Sequence, residues 1–399
     1  MLLNNSGMAC LTKTFQSAAT AYARPLLVVA FAFLFTLQLM VCVIGMRLGS
    51  DGRADFRAMY TAAYMLRTGQ RHQIYDIGAE STLQKTIVSD SMTLPFIHPA
   101  AETVFFWPLT FLSYRTAYFV FALVNSILLI YVAILMRPFL PELGTVWKPL
   151  PFAVFLCYLP AGFVIALGQT QLLVLLMLSL AFVAEKKGNN FYSGILLGLT
   201  IIRFQIAIPI GILLLAWRRP KALMGFLISA SAVIGASVLL VGLQESVTYL
   251  RALKLMATGL ATRPEQVGLA AFPGMMPNIR GLVFKIGLQD KWGLALTSLA
   301  SVSLLIVAAK QRASLALAAT VAILVGHHNN IADLTLLALP LAIGLDEGSW
   351  LRAGPALFAP ALYGPLFTRG LIPLLAIPVF ALASAFVSNK PQRVAHLPS

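Results

Sequence analysis

The chain has 399 residues, of which 59% are hydrophobic and 11% charged, and its mean hydropathy is +0.84. Soluble domains carry about 25% charged residues, so this composition excludes a water-soluble globular protein and indicates a polytopic membrane protein. The formal charge of +15 is divided among short basic knots between apolar runs; with no continuous basic stripe, nucleic acid is not expected as a partner and cytoplasmic loop anchoring accounts for the charge.

The first apolar run, 25–46, is too long for the core of a signal peptide and has no small-residue cleavage site after it, so it reads as a retained helix. Lys13 and Arg24 place the N-terminus in the cytoplasm, and the helix leads outward. Residues 47–108 then form the first extracytoplasmic loop, the longest polar segment, in which AMYTAAYMLRTG reads as an amphipathic helix lying at the membrane surface. A second span returns through 114–136, with Arg137 and Lys148 at its cytoplasmic turn.

Hairpins follow. Successive outer tips fall at Gly168-Gln169-Thr170, Arg203-Phe204-Gln205, a second large outer loop over 243–290, and His327-His328-Asn329-Asn330. The intervening inner turns carry Glu185-Lys186-Lys187, Arg218-Arg219-Pro220-Lys221, Lys310-Gln311-Arg312 and Asp346-Glu347, and a last hairpin leaves Lys390 and Arg393 inside. Alternation from the N-terminus alone thus puts the basic knots on one side, as the positive-inside rule requires. The reading is one integral membrane domain over 1–399, an all-α transmembrane helical bundle of about 10–12 spans, with both termini cytoplasmic. The segments preceding Lys186, Arg203, Trp217 and Asp346 offer only about 12 to 16 apolar residues where a crossing needs about 20, so they must meet inside the bundle or line a wet cavity. Cys10, Cys42 and Cys157 are widely separated and read as packing or incidental residues rather than a disulfide or metal site.

The outer side collects Asp51, Asp55, Gln169, Gln171, Arg203, Gln205, Asn278, Arg280, His327, His328, Asn329, Asn330 and Asp333. Ionisable groups near membrane depth are costly and mark function. Asp55, just past the first helix and one turn from Asp51, suits a general base; equally, it suits the N-cap of the helix after Phe56. Arg203 interrupts an apolar run and fits a phosphate through its planar fork, or is an ordinary arginine at a hairpin tip. Adjacent histidines point to different helix faces, so His327-His328 is a poor metal pair but can hold a phosphate or a sugar hydroxyl. Asp333 either caps the following helix or faces a cavity. Met276 to Gly281, with Asn278 and Arg280, is turn-like and polar. No Walker loop, dinucleotide fingerprint, zinc motif or nucleophile elbow is present.

The ordered set resembles a known family: Asp55-Phe56 with Tyr60, Thr68-Gly69 before Ile74-Tyr75-Asp76, Pro95-Phe96 and His98-Pro99 before Trp107-Pro108-Leu109, then Gly168-Gln169, Gly194 to Gly198 leading to Arg203, Pro277 to Gly281, and His328 through Asp333-Leu334. Together these are similar to glycosyltransferase family 87, also called domain of unknown function 2029. The resemblance implies a C-type glycosyltransferase fold with amphipathic helices in the first outer loop, a polyprenyl-phosphate sugar donor, and mannose or a similar hexose moved to a lipid or glycan acceptor on the extracytoplasmic face. It implies Asp55 as general base, with Asp51, Tyr60, Gln169, Arg203, Gln205, Asn278, Arg280, His327, His328 and Asp333 as substrate-binding residues. Arg203 stands where the family usually has lysine, Phe204 where it has proline, and Ala332 where relatives often have histidine. No cofactor is expected; a divalent metal is compatible with the chemistry but nothing in the sequence requires one. The competing readings are a transporter or flippase of an anionic lipid or sugar, for which no two-fold repeat is visible, and a non-catalytic lipid-binding relative.

Overall fold

The computed structural model describes residues 5–88, 93–258, 273–288, 291–359 and the positions 378–380, 382, 383 and 386. The fold is all-α, with no strand among the described residues. A 46-residue helix α1 (Asn5–Ser50) is followed by α2 (Phe56–Arg67), α3 (Ile77–Ile87), two 3-10 turns over 100–111, and the long α4 (Tyr114–Met136). Short α5 (Pro141–Val146) leads to α6 (Leu150–Leu156) and α7 (Leu159–Leu167), then to α8 (Gln171–Lys186), α9 (Asn190–Leu199), α10 (Phe204–Ala216) and α11 (Pro220–Val241). After these come α12 (Leu243–Thr258), α13 (Ile279–Lys285), α14 (Lys291–Ala309), α15 (Leu315–Val325), α16 (Ala338–Asp346) and α17 (Trp350–Phe358). The last predicted hairpin and its tail with Lys390 and Arg393 lie almost wholly outside the described residues, as do Asp90, Pro264 and Asp290.

By length and apolarity alone five stretches suffice to cross a membrane, Arg24–Ser50, Tyr114–Phe139, Asn190–Ala216, Pro220–Val241 and Lys291–Ala309, with α6 and α7 a sixth if that pair, bent by 45°, counts as one span. Their outer surfaces are apolar: Val29 and Phe33 on α1, Leu123 and Ile127 on α4, Leu239 on α11 and Leu299 on α14 are all exposed. Water would not tolerate these stripes on a monomer, whereas lipid does. The stretch Asn190–Ala216 does not run as one rod, because it folds back at the 3-10 turn Thr200–Arg203. Asn190, Ser193 and Leu197 line the same small cavity as Ile210, Leu214 and Trp217, and Arg219 reaches Glu185 at 2.7 Å.

The short helices are held inside the bundle, where backbone groups at their ends meet protein rather than lipid. Every residue of α15 from Leu315 to Leu324 is buried, and α16 is nearly so. α9 lies against α11 with Gly194 and Gly198 at the contact, where a Cβ would come within 1.9 Å of the Ala222 carbonyl oxygen and 2.1 Å of Ser229 Oγ. Small residues four apart permit this backbone approach, as they do between transmembrane helices generally.

Two ends result. At one, Arg24 Nε donates to the Val146 carbonyl at 2.9 Å, Asp346 Oδ1 accepts from the Leu143 amide at 2.9 Å, and Trp217 Nε1 donates to the Ala308 carbonyl at 3.2 Å. These are the loops that charge and alternation assign together in sequence. At the other end, residues 51–111 form a lobe with its own core.

That lobe corrects one expectation. The AMYTAAYMLRTG segment, predicted to lie on the membrane surface, forms α2, in which ten of twelve residues from Phe56 to Arg67 are buried. The 3-10 turns over 100–111 and α4 cover its faces, and the Phe56 ring sits 5.6–6.0 Å from those of Tyr60, Phe106, Tyr114, Tyr118 and Phe121. Local periodicity shows that a helix has an apolar face; it does not show that a later segment returns to cover the other face.

Candidate active site

The site is organised by the turn between α7 and α8. Gly168 closes α7 in the left-handed region at φ 64°, and a Cβ there would fall 2.6 Å from the Cβ of Phe56. Only glycine therefore allows the turn to rest directly on the start of α2. Asn125 of α4 fixes it from the other side, its Nδ2 donating to the Gln169 carbonyl at 3.0 Å. Three consecutive side chains of the turn then engage three acids from distant segments: Gln169 meets Asp55, Thr170 meets Glu102, and Gln171 meets Asp333.

Asp55 occupies the N-cap position of α2 but makes no side-chain cap bond. Its carboxylate instead accepts from Nε2 of Gln169, which decides between the two uses the sequence leaves open in favour of a carboxylate turned toward the turn. Burial pushes its pKa above the ordinary 3.8; the Gln169 bond and the charges of His98 and Arg203 oppose this, and Asp333 adds to it. Such a group takes up a proton more readily than an exposed aspartate does.

Arg203 stands at the fold-back between α9 and α10 and is only 5% exposed. Its Nη2 donates to Thr170 Oγ1 at 3.3 Å, while its buried Nε has no partner in the protein. Thr170 passes the bond on, its hydroxyl donating to Glu102 Oε1 at 2.6 Å. The other carboxylate oxygen of the fully buried Glu102 lies 3.0 Å from His98 Nδ1. Burial alone would raise the Glu102 pKa, but the charge and hydrogen bond of His98, the charge of Arg203 and the Thr170 bond together hold it below its usual value.

α3 places this pair. Asp76 caps α3 by accepting from the Gly78 and Ala79 amides. Gln84 brackets Leu94, accepting from its amide at 2.9 Å and donating to its carbonyl at 2.7 Å. Both carboxylate oxygens of Glu80 accept from the Phe96 amide at 3.1 Å. Tyr75 completes the clamp, its hydroxyl donating to the His98 carbonyl at 2.8 Å. An extended segment with no strand partner thereby has its backbone satisfied by side chains, as buried backbone requires.

Asp333 caps the helical turn that follows Asn330 and is also tied to the α7–α8 turn. Oδ2 accepts from the Asn330 amide at 2.7 Å within a capping box, and Oδ1 accepts from Gln171 Nε2 at 3.0 Å. Asn278 and Arg280 hold the histidine loop by its backbone: Asn278 Nδ2 donates to the Gly326 carbonyl at 2.6 Å and Arg280 Nη1 to the His327 carbonyl at 3.1 Å. His328 points a buried Nδ1 with no protein partner. Burial, then the charges of Arg280, His327, Arg203 and His98, lower its pKa to about 4, so the ring is neutral at pH 7.

Asp55, Gln169, Arg203 and Asp333 are thus tied to one turn, and Asn278, Arg280 and His327 support the loop that carries His328, on which the charge of Arg203 acts. Two candidates fall elsewhere: Tyr60 is buried in the lobe core and donates its hydroxyl to the Leu112 carbonyl at 2.8 Å, and Asp51 is exposed beyond α1. Gln205 is half-buried on the first turn of α10, two residues past Arg203. Sequence reasoning missed Glu102 and Thr170. The available signal was a lone acid in the apolar run from Pro99 to Leu109, four residues after His98. Among the described residues no group of three or more His, Cys, Asp or Glu could hold a metal ion, and Cys42 and Cys157 are free thiols.

No curated protein and no solved structure matches the chain. The sequence model of glycosyltransferase family 87 matches residues 96–344, a stretch that starts two residues before His98 and includes Glu102, Thr170, Arg203, His328 and Asp333. It covers more than half of the protein, and its boundaries enclose the turn at Gly168 with two of its three tethered acids. The chain belongs to glycosyltransferase family 87.

Proposed function

We propose that the protein moves a hexose, mannose or a similar sugar, from a polyprenyl-phosphate donor to a lipid or glycan acceptor, at the extracytoplasmic face of a bacterial inner membrane. The observation that carries this reading is the meeting of Asp55 and Arg203 on adjacent residues of one turn, Gln169 and Thr170. A lipid phosphate leaves with little need for protonation, so the demands on the protein are to deprotonate the acceptor hydroxyl and to stabilise charge on the departing phosphate. Asp55, with its raised pKa, suits the first task. Arg203, with an unused buried Nε, and the neutral His328, with an unused Nδ1, suit the second, because donors fixed in a water-poor site stabilise an anion without reorganising. The apolar stripes of α1, α4, α11 and α14 give the lipid tails of donor and acceptor a route along the bundle. No cofactor and no nucleic acid enters this reading.

The test is sugar transfer by protein purified into liposomes, given polyprenyl-phosphate mannose and a bacterial lipid extract. Asp55→Asn is expected to lower the rate by about 10²–10⁴-fold while leaving the thermal unfolding transition in place. Wild-type-like transfer by that variant would remove Asp55 as the base.

A further inference from the structure

The bond between Gln169 and Asp55 has a direction that Gln169 alone does not set. A primary amide presents a donor on one side and an acceptor on the other, and a half-turn of its plane exchanges them. The backbone of Gln169 is fixed, its amide donating to the Val164 carbonyl at 3.1 Å and its carbonyl accepting from Asn125 at 3.0 Å. Only the side chain is left to choose which face Asp55 meets. Gln169, Gln171 and Asp333 are all buried, so each must find its hydrogen bonds within the protein.

That choice is made by the next two members of the chain of bonds. Gln171 Nε2 donates to Gln169 Oε1 at 2.7 Å and, across 162 positions of sequence, to Asp333 Oδ1 at 3.0 Å. Both contacts use the nitrogen, and Gln171 Oε1 is left without a protein partner. Turned over, this amide would set its oxygen against two acceptor oxygens. Asp333 forbids the turn because it accepts on both of its own: Oδ2 takes the Asn330 amide at 2.7 Å, and Asn330 in turn caps the Ala332 and Asp333 amides. A carboxylate can accept on two atoms in this way and an asparagine amide cannot. Donors therefore run in one direction, from Gln171 to Gln169 and from Gln169 Nε2 to Asp55.

We infer that Asp333 and Gln171 are positioning residues that lock the Gln169 side chain with its N–H toward Asp55, keeping that carboxylate ready to accept a proton. The inference rests on the reading of Asp55 as base. It gives Asp333 two opposed effects on Asp55: through space its charge favours the protonated acid, and through the glutamines it secures the donor that favours the ionised one. The Gln169 bond is the larger of the two. The other groups facing Asp55 are His98, from the segment after α3, and Arg203, from the fold-back, whose charges favour the ionised form, and the phenol of Tyr114 on α4.

Asp333→Asn makes the two effects predict opposite signs. With one oxygen replaced by a donor, the Asn330 amide keeps the remaining oxygen and Gln171 turns to accept from the new amide. Gln169 then turns to donate to Gln171, so that Asp55 faces an oxygen and must hold a proton to bond it. The midpoint for Asp55 protonation can be followed by infrared titration of the full-length protein in liposomes, through the carboxyl band that Asp55→Asn removes. In Asp333→Asn it is expected to rise by about one pH unit. Loss of charge alone would lower it, and a lowered or unchanged midpoint would overturn the lock. Should Asp333→Asn not accumulate, Gln171→Met, of nearly the same length, severs the link and frees the Gln169 amide; the midpoint is again expected to rise, and an unmoved one rejects the proposal. This readout needs no substrate. Sugar transfer from polyprenyl-phosphate mannose by the same preparations judges the base reading separately: its acid limb is expected to follow the infrared midpoint, whereas wild-type-like transfer by Asp55→Asn would remove Asp55 as base while the midpoint still decides the lock.

Discussion

The side-chain amide of Gln169 donates to the carboxylate of Asp55 across 114 positions of sequence, and this contact turns an N-cap aspartate into a site residue. The bond favours the ionised carboxylate while burial favours the protonated one, so the two effects together set the pH at which Asp55 can act as a base.

The acid limb of the wild-type rate profile is therefore expected to lie above the ordinary aspartate range. Rate should fall as pH drops through the raised pKa of Asp55, because the protonated acid cannot accept the hydroxyl proton. Gln169→Leu removes the one hydrogen bond that lowers this pKa and is expected to move the limb to higher pH, with a rate loss of about tenfold at a fixed pH below the limb and recovery above it. A loss equal at all pH values would mean that Gln169 serves packing alone.

Glu80 makes a stability prediction of definite sign. Its carboxyl is raised well above the ordinary 4.5, chiefly by burial, with the Phe96 bond opposing and Asp76 adding to the rise. A group whose folded pKa exceeds its unfolded value contributes stability that is complete below the unfolded pKa and is lost as pH rises through the folded one. Thermal unfolding of the purified protein should thus move to lower temperature as pH climbs from about 4.5. Glu80→Gln should flatten that slope, since it keeps an acceptor for Phe96 and cannot ionise. Glu80→Leu should cost about 1–3 kcal/mol at any pH by leaving the Phe96 amide unsatisfied. An unchanged slope in Glu80→Gln would show that other groups govern it.

Sidedness is open to direct labelling. Asp51 is exposed at the end that carries the candidate site, and Lys187 is exposed at the opposite end. In intact bacteria Asp51→Cys should react with a membrane-impermeant maleimide while Lys187→Cys reacts only after lysis. The reverse pattern would place the site in the cytoplasm and rule out the extracytoplasmic reaction proposed above.

Much of the fold was present in the sequence because membrane helices are specified locally: a run of apolar residues long enough for the bilayer, bounded by charge, is a property of about 20 consecutive positions. The fold-back at Arg203 and the burial of the short helices follow from the same arithmetic, since segments too short to span must find protein partners. Arg203 and His328 were visible as polar interruptions of apolar sequence, and Asp55 as an acid just past the first span. Whether Asp55 capped a helix, whether Tyr60 faced a substrate or a core, and that Glu102 existed as a site residue at all were not visible there. Those questions were decided by contacts over 114, 52 and 68 positions, the first and last of them made where one glycine lets a turn rest on the start of α2. Hydropathy acts through the nearest residues and so can be read along the chain; a carboxylate's protonation and partners depend on what packs around it, and that is fixed only when distant segments close the space.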